Sequence, residues 1–257
     1  MSLIHIIILS IIEGVTEFLP ISSTGHMILA GKLLNIPSTD FVKSFEIIIQ
    51  LGAILAVVVL YFKTLIKNIP LWPKIITAFF PTAILGFTLY KIIKGFLLGN
   101  VVVTVCALGI GGIAFLVLER QLKKKQFSTQ TLTSITYKQS FIIGLFQSLS
   151  MIPGVSRSAA SIFGAMITGV NRETSVEFSF LLAIPTMVAA TGLDLIKSGL
   201  TFTTNEYEML AIGFIIAFIT ALIAVKSFLA FVKTNTFIPF AWYRIILAIT
   251  FVIFFLK

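Results

Sequence analysis

The sequence predicts an all-α integral membrane protein with six transmembrane helices and two re-entrant helical hairpins, arranged as an inverted-topology internal repeat. Three observations predict it. Of the 257 residues, 58% are hydrophobic and 11% charged, whereas a soluble domain carries about 45–50% apolar and about 25% charged residues. The apolar stretches run to about 20 residues, the length that crosses roughly 30 Å of hydrocarbon as a helix. They do not alternate with polar residues at every second position, which excludes a transmembrane β-barrel. Finally, two apolar regions are broken near their middle by proline, and the pattern around one break recurs around the other.

The first broken region covers residues 3–34 and breaks at Leu19-Pro20-Ile21-Ser22. Each half is roughly 12–16 residues, too short to span, and a helix–break–helix segment of that length reads as a hairpin that enters and leaves by the same face. Spans follow at 41–62, 73–95 and 100–120. The second broken region, within 139–170, breaks at Ile152-Pro153-Gly154-Val155-Ser156, and spans follow at 174–197, 207–227 and 239–256. Turn signals separate them: Ile36-Pro37-Ser38, Asn68-Ile69-Pro70, Gly99-Asn100, Gly169-Val170-Asn171 and Ile238-Pro239.

Pro20 and Pro153 lie 133 residues apart, as do FEIIIQLGAILAV from Phe45 and FSFLLAIPTMVAA from Phe178. The reading is therefore one membrane domain of two repeats. Residues 1–120 hold hairpin 1–35 and three spans. Residues 121–138 form a basic cytoplasmic loop, and 139–257 hold hairpin 139–170 and three spans. Three spans per repeat is an odd number, so the repeats have inverted topology and their broken tips can meet near the midplane, where the site is expected.

Charge orients the chain. The net charge of +9 sits between apolar spans, which reads as positive-inside topology and not as a nucleic-acid surface. Arg120, Lys123, Lys124, Lys125 and Lys138 mark the cytoplasmic loop. Alternation then places Lys63, Lys67, Lys74, Arg172, Lys226, Lys233 and Arg244 on the same side. Lys32, Lys43, Lys91, Lys94, Lys197 and Lys257 fall outside. The N-terminal segment lacks a basic n-region and a small-residue cleavage site, so no signal peptide is expected. The single cysteine, Cys106, can form no intrachain disulfide.

The chemistry gathers at the two breaks. Glu13 and Glu17 are i,i+4 and share a helix face. Two carboxylates so close require a proton or a cation between them, and a hard divalent ion such as Mg²⁺ or Ca²⁺ takes oxygen ligands of this kind. Ser22 is placed to cap a new helix, whose free N–H groups, at Ser23, Thr24 and Gly25, offer an anion site. Ser23 and His26 are i,i+3 and share a face. In the second break Ser156 is placed to cap a helix with Arg157 in its first turn, and Ser158 and Ser161 add hydroxyls. Arg matches phosphate bidentately. Two helix N-termini and a guanidinium converging on one point describe a phosphate or diphosphate site. Glu46, Gln50, Glu177 and Asp194 lie in or beside spans and read as polar packing or supporting contacts.

The segments EGVTEFLPISSTGH and PGVSRSAASIFGAMITGVNRETSVEFSFLLAIP resemble the two signature regions of the bacterial undecaprenyl-diphosphate phosphatases of the bacitracin-resistance type. The resemblance extends over essentially the whole chain. It departs mildly at Ser161, where the family often has Thr, and at Ala159, where it often has Gly. It implies a plasma-membrane hydrolase that converts a C55 isoprenyl diphosphate to the monophosphate, recycling the carrier lipid for wall polymers. It also implies a divalent cation, Mg²⁺ or Ca²⁺, and functional positions at Glu13, Glu17, Ser23, His26 and Arg157. The expected partners are the polyprenyl diphosphate and membrane lipid; a homodimer is compatible with the reading. The recycling role suggests a site open to the extracytoplasmic side. The nucleophile stays open between Ser23, His26 and water, with Ser23 favoured and His26 as its partner. The alternative reading is a polyprenyl-phosphate flippase, since inverted repeats with broken helices also build transporters.

Overall fold

The computed structural model describes residues 1–37, 39–89, 97, 100–122, 127–198 and 202–255. Ser38, Lys91, Lys94, Gly99, Lys123, Lys124, Lys125 and Lys257 of the readings above lie outside the described residues, as do the side chains of Asp194 and Lys197. Within the described residues the chain is helical, without strands.

In chain order the helices are α1 (Leu3–Thr16), α2 (Ser23–Leu33), α3 (Asp40–Lys67), α4 (Trp72–Thr88), α5 (Val101–Leu122), α6 (Tyr137–Ser148), α7 (Arg157–Ile167), α8 (Arg172–Ser198), α9 (Thr204–Thr234) and α10 (Ile238–Phe255). Five segments, Asp40–Lys67, Ile69–Thr88, Val101–Leu122, Arg172–Leu193 and Thr204–Thr234, are long and apolar enough to cross a bilayer. The chain is thus a multi-pass membrane protein. The sixth stretch, α10, is apolar and 18 residues long.

Both breaks fall where proline puts them. Proline has no N–H and cannot continue a helix interior, so α1 ends before Pro20 and α6 before Pro153, the latter through a 3₁₀ turn at Leu149–Met151. Each following helix restarts on a serine. Ser22 accepts the Gly25 N–H at 3.2 Å, and Ser156 accepts the Ala159 N–H at 3.2 Å. Both serines sit in the left-handed region, at φ 71° and 77°. That conformation costs a non-glycine residue about 1–3 kcal/mol and persists only where the surroundings hold it.

The halves exchange partners. α1 packs chiefly on α9, and α6 packs on α4. A Cβ on Gly14 would collide with the Ala217 carbonyl of α9, and one on Gly144 with the Ala78 carbonyl of α4. Each broken segment is therefore held by the second long helix of the other half. The main core lies between the halves and includes Phe18, Phe178, Phe180 and Phe237, all wholly buried.

Arg244 corrects the charge count. It is 0% exposed and stands within α10, not in a cytoplasmic loop. Its five donors all reach carbonyls. Nε donates to Leu108 (3.3 Å), Nη1 to Pro20 (3.1 Å) and Val155 (3.0 Å), and Nη2 to Ala107 (3.2 Å) and Gly154 (2.9 Å). Two breaks and α5 are thus tied to one side chain. The opposing α5 surface must be bare, since a Cβ on Gly111 would collide with the guanidinium. A partly buried ion pair joins Arg172 to Glu119 through Nη2 at 2.5 Å and Nε at 3.1 Å, and Glu119 also accepts the Phe237 N–H at 2.9 Å.

Arg244→Met removes all five donors and strips the break carbonyls of Pro20, Gly154 and Val155 of theirs, while Ala107 and Leu108 keep their helical bonds within α5. We expect a loss of about 3 kcal/mol or more, read as a lower thermal unfolding midpoint in detergent. Arg244→Lys recovers only part of it, because an ammonium has three donors.

Candidate active site

The tips of the two hairpins meet around Glu17. This carboxyl closes the last turn of α1, where its N–H donates to the Glu13 carbonyl at 2.9 Å, and it is buried. Ser23 Oγ, at the first position of α2, donates to Glu17 Oε2 at 2.5 Å. Arg157 Nη2, at the first position of α7, donates to Glu17 Oε1 at 2.8 Å. One carboxylate therefore bridges a hydroxyl six residues away and a guanidinium 140 residues away.

Arg157 is anchored further. Nη1 donates to the Ser179 carbonyl at 2.9 Å, and the guanidinium carbon stands 5.5 Å from the Phe18 ring centroid. Ser161 Oγ donates to Ser179 Oγ at 2.7 Å, which fixes the α8 side of this arrangement. Ser179 was not singled out in the sequence, although it lies within the second signature segment.

A cation in the first turn of a helix sits against the positive end of the macrodipole. Arg157 occupies that place in α7, and the N-terminus of α2 points at the same region. Glu17 offsets part of this positive field. The Arg157 Nε is buried and has no hydrogen-bond partner. A free buried donor beside two helix N-termini is what an oxyanion would satisfy.

The Glu13 carboxyl is buried as well, and its Oε1 has no partner. Glu17 and Glu46 lie within electrostatic reach of it. Among the described residues no three His, Cys, Asp or Glu side chains gather as a metal site. The pair Glu13 and Glu17 nevertheless fits a hard cation that draws its other ligands from water and phosphate, as Mg²⁺ usually does. Glu13 is the better placed of the two, since both Glu17 oxygens already have partners.

The remaining expected residues divide. Ser22, Gly25 and Ser156 are used in the helix caps. Ser158 Oγ donates to the Leu19 carbonyl at 2.8 Å, joining the two tips directly. Ser161 Oγ also stands 3.0 and 3.2 Å from the Arg157 and Ser158 carbonyls. Thr24 is exposed on α2. His26 does not face Ser23: its Nδ1 donates to the Ser22 carbonyl at 2.7 Å, and its Nε2 lies 2.7 Å from the Tyr243 hydroxyl. Glu177 accepts from Tyr61 at 3.3 Å, a supporting contact away from the tips.

A family model described as "Bacitracin resistance protein BacA" matches residues 6–250. A protein of Aquifex aeolicus is 54% identical over 250 residues, covering 97% of each chain. One from Wolinella succinogenes is 51% identical over 251 residues, covering 98% of this chain and 97% of its own. One from Persephonella marina is 49% identical over 254 residues, covering 99% of each. All three are named undecaprenyl-diphosphatase. With a match of this extent at both broken tips and through the helices between them, the chain belongs to the bacitracin resistance protein BacA family.

Proposed function

We propose that the chain hydrolyses undecaprenyl diphosphate to undecaprenyl phosphate and phosphate between the two hairpin tips. The observation that carries this reading is the buried set Ser23–Glu17–Arg157, a hydroxyl, a carboxylate and a guanidinium joined by hydrogen bonds of 2.5 and 2.8 Å. Relatives that match nearly the full chain bear the name of that activity. A lipid carrier would only need contacts to the headgroup; a hydroxyl held against a buried carboxylate is the arrangement of a nucleophile and its base.

The steps follow from these contacts. Ser23 Oγ attacks the terminal phosphorus while its proton passes to Glu17 Oε2. The bond from that phosphorus to the bridging oxygen breaks, and Glu17 returns the proton to the departing undecaprenyl phosphate. Water then attacks the serine phosphate. Glu17 takes a proton from the water and Ser23 Oγ recovers one as phosphate leaves. Arg157 and the N-termini of α2 and α7 neutralise the phosphate oxygens, the electrostatic contribution that dominates phosphoryl transfer. A divalent cation held by Glu13 and Glu17 supplies further neutralisation of the diphosphate when bound.

The same reading sets the site in a bacterial plasma membrane. The first hairpin enters from the outer face and the second from the cytoplasmic face, as an inverted repeat. The recurring element order, the reciprocal packing of α1 on α9 and α6 on α4, and the positive charge of the central loop support it. The diphosphate head enters from the extracytoplasmic side, and the isoprenyl tail stays in lipid.

Phosphate release from a polyprenyl diphosphate by purified protein in detergent tests the activity without two compartments, so transport alone gives no signal. We expect Glu17→Gln and Arg157→Ala to lower kcat/KM by about 10³-fold or more. Folded protein that binds the lipid and releases no phosphate, with any metal supplied, would leave lipid transport as the function. Ser23→Ala that retains most of kcat would transfer the nucleophile's role to water. EDTA is expected to abolish release. Glu13→Gln should raise the cation concentration for half-maximal rate by about tenfold, measured by titrating Mg²⁺ or Ca²⁺ back.

A further inference from the structure

His26 is the residue whose placement departs most from its expected pairing, and the structure shows what holds it. Nδ1 lies 2.7 Å from the Ser22 carbonyl, which can only accept, so Nδ1 carries the proton. In the neutral imidazole Nε2 is then the acceptor. Its partner is the hydroxyl of Tyr243, 2.7 Å away and 217 residues distant in sequence. The two rings are parallel, 3° apart, with centroids at 5.6 Å. Tyr243 itself has little freedom, because the next residue is Arg244, whose guanidinium spends all five donors on α5 and the two breaks. The Ser22 carbonyl is fixed in the same way by its positive φ and by the cap it provides.

We propose that Tyr243 is a positioning residue for His26. With the tautomer fixed by the Ser22 carbonyl, the Tyr243 hydroxyl donates to Nε2 and holds the ring turned toward α10, away from Ser23. This deepens the phosphatase reading and rests on it. Glu17 is left as the sole base on Ser23. His26 is presented through a hydroxyl that both donates and accepts, at a side chain 43% exposed. Such a hydroxyl can pass a proton between the ring and a headgroup or water without the ring turning.

The chain has two histidines, His5 and His26, so ¹⁵N-histidine NMR on protein in detergent, with His5→Gln to remove the other signal, reads the tautomer directly. Wild type is expected to show one unprotonated Nε2 shifted by an accepted hydrogen bond, and Tyr243→Phe an Nε2 without that shift. In phosphate release, Tyr243→Phe is expected to lower kcat about tenfold with KM within about twofold. His26→Ala and the double variant His26→Ala/Tyr243→Phe should then be equally slow, because the hydroxyl acts only through the ring. An Nε2 signal unchanged in Tyr243→Phe, or losses that multiply in the double variant, would overturn the proposal. The NMR readout needs no substrate. Failure of the phosphatase reading therefore shows separately, as a wild type that releases no phosphate while its His26 Nε2 signal still depends on Tyr243.

Discussion

A helix broken inside an apolar protein leaves carbonyls that no water reaches, and each unsatisfied one costs free energy. Arg244 resolves this for both breaks at once. The guanidinium has five donors, and five carbonyls take them: one from the first break, two from the second and two from α5. Burying the charge is expensive. The expense is offset because every donor is satisfied and because Pro20, Gly154 and Val155 lie in the breaks, outside the helices' own hydrogen-bond ladders. Two strained serines, two interrupted helices and the meeting of the tips all depend on this side chain. The bare surface at Gly111 shows α5 shaped around it.

With the carbonyl ends of the breaks satisfied by a cation, the amide ends face the opposite requirement. The N-termini of α2 and α7 and the Arg157 guanidinium add positive field at one place, and Glu17 is the anion that the fold supplies. The balance is incomplete: Arg157 Nε and Glu13 Oε1 remain buried without partners. Native proteins rarely leave such groups unpaired except at functional sites. One orphan is a cationic donor and the other an anionic acceptor. Together they match a ligand that brings phosphate oxygens to the first and a cation to the second.

Much of this was legible in the sequence. Proline located both breaks, serine located both restarts, and hydropathy located the long helices. Glu17, Ser23 and Arg157 could be singled out as candidates, because ionisable groups within apolar segments are costly to keep without a use. Their pairing was not legible. The i,i+3 spacing put Ser23 and His26 on one face, but spacing ignores the positive φ at Ser22, which turns its carbonyl to the imidazole and leaves the Ser23 hydroxyl to Glu17. Arg244 was misread because counting charges between spans assigns every cation to a loop. Its signal was there: one arginine within an 18-residue apolar helix. Tyr243 acts only across the fold, so no local pattern could announce it, and Ser179 lay within a quoted segment without a charge or spacing to mark it.

The two breaks differ by one residue, and that difference bears on the chemistry. α2 and α7 are both 11 residues long, but they start at Ser23 and Arg157, an offset of 134 where the prolines differ by 133. The extra residue is Gly154, at φ 94°. Its carbonyl goes to Arg244, and a Cβ there would collide with the Thr104 carbonyl, so only glycine lets this tip approach α5 so closely. Counted from the restarted helices, Ser23 and Arg157 are then equivalent positions. One of these positions carries a hydroxyl and the other a guanidinium. Both turn to the same carboxylate, which only the first half carries. Matching restarts bring the two first turns together, and the difference in what they carry gives one carboxylate a hydroxyl on one oxygen and a cation on the other.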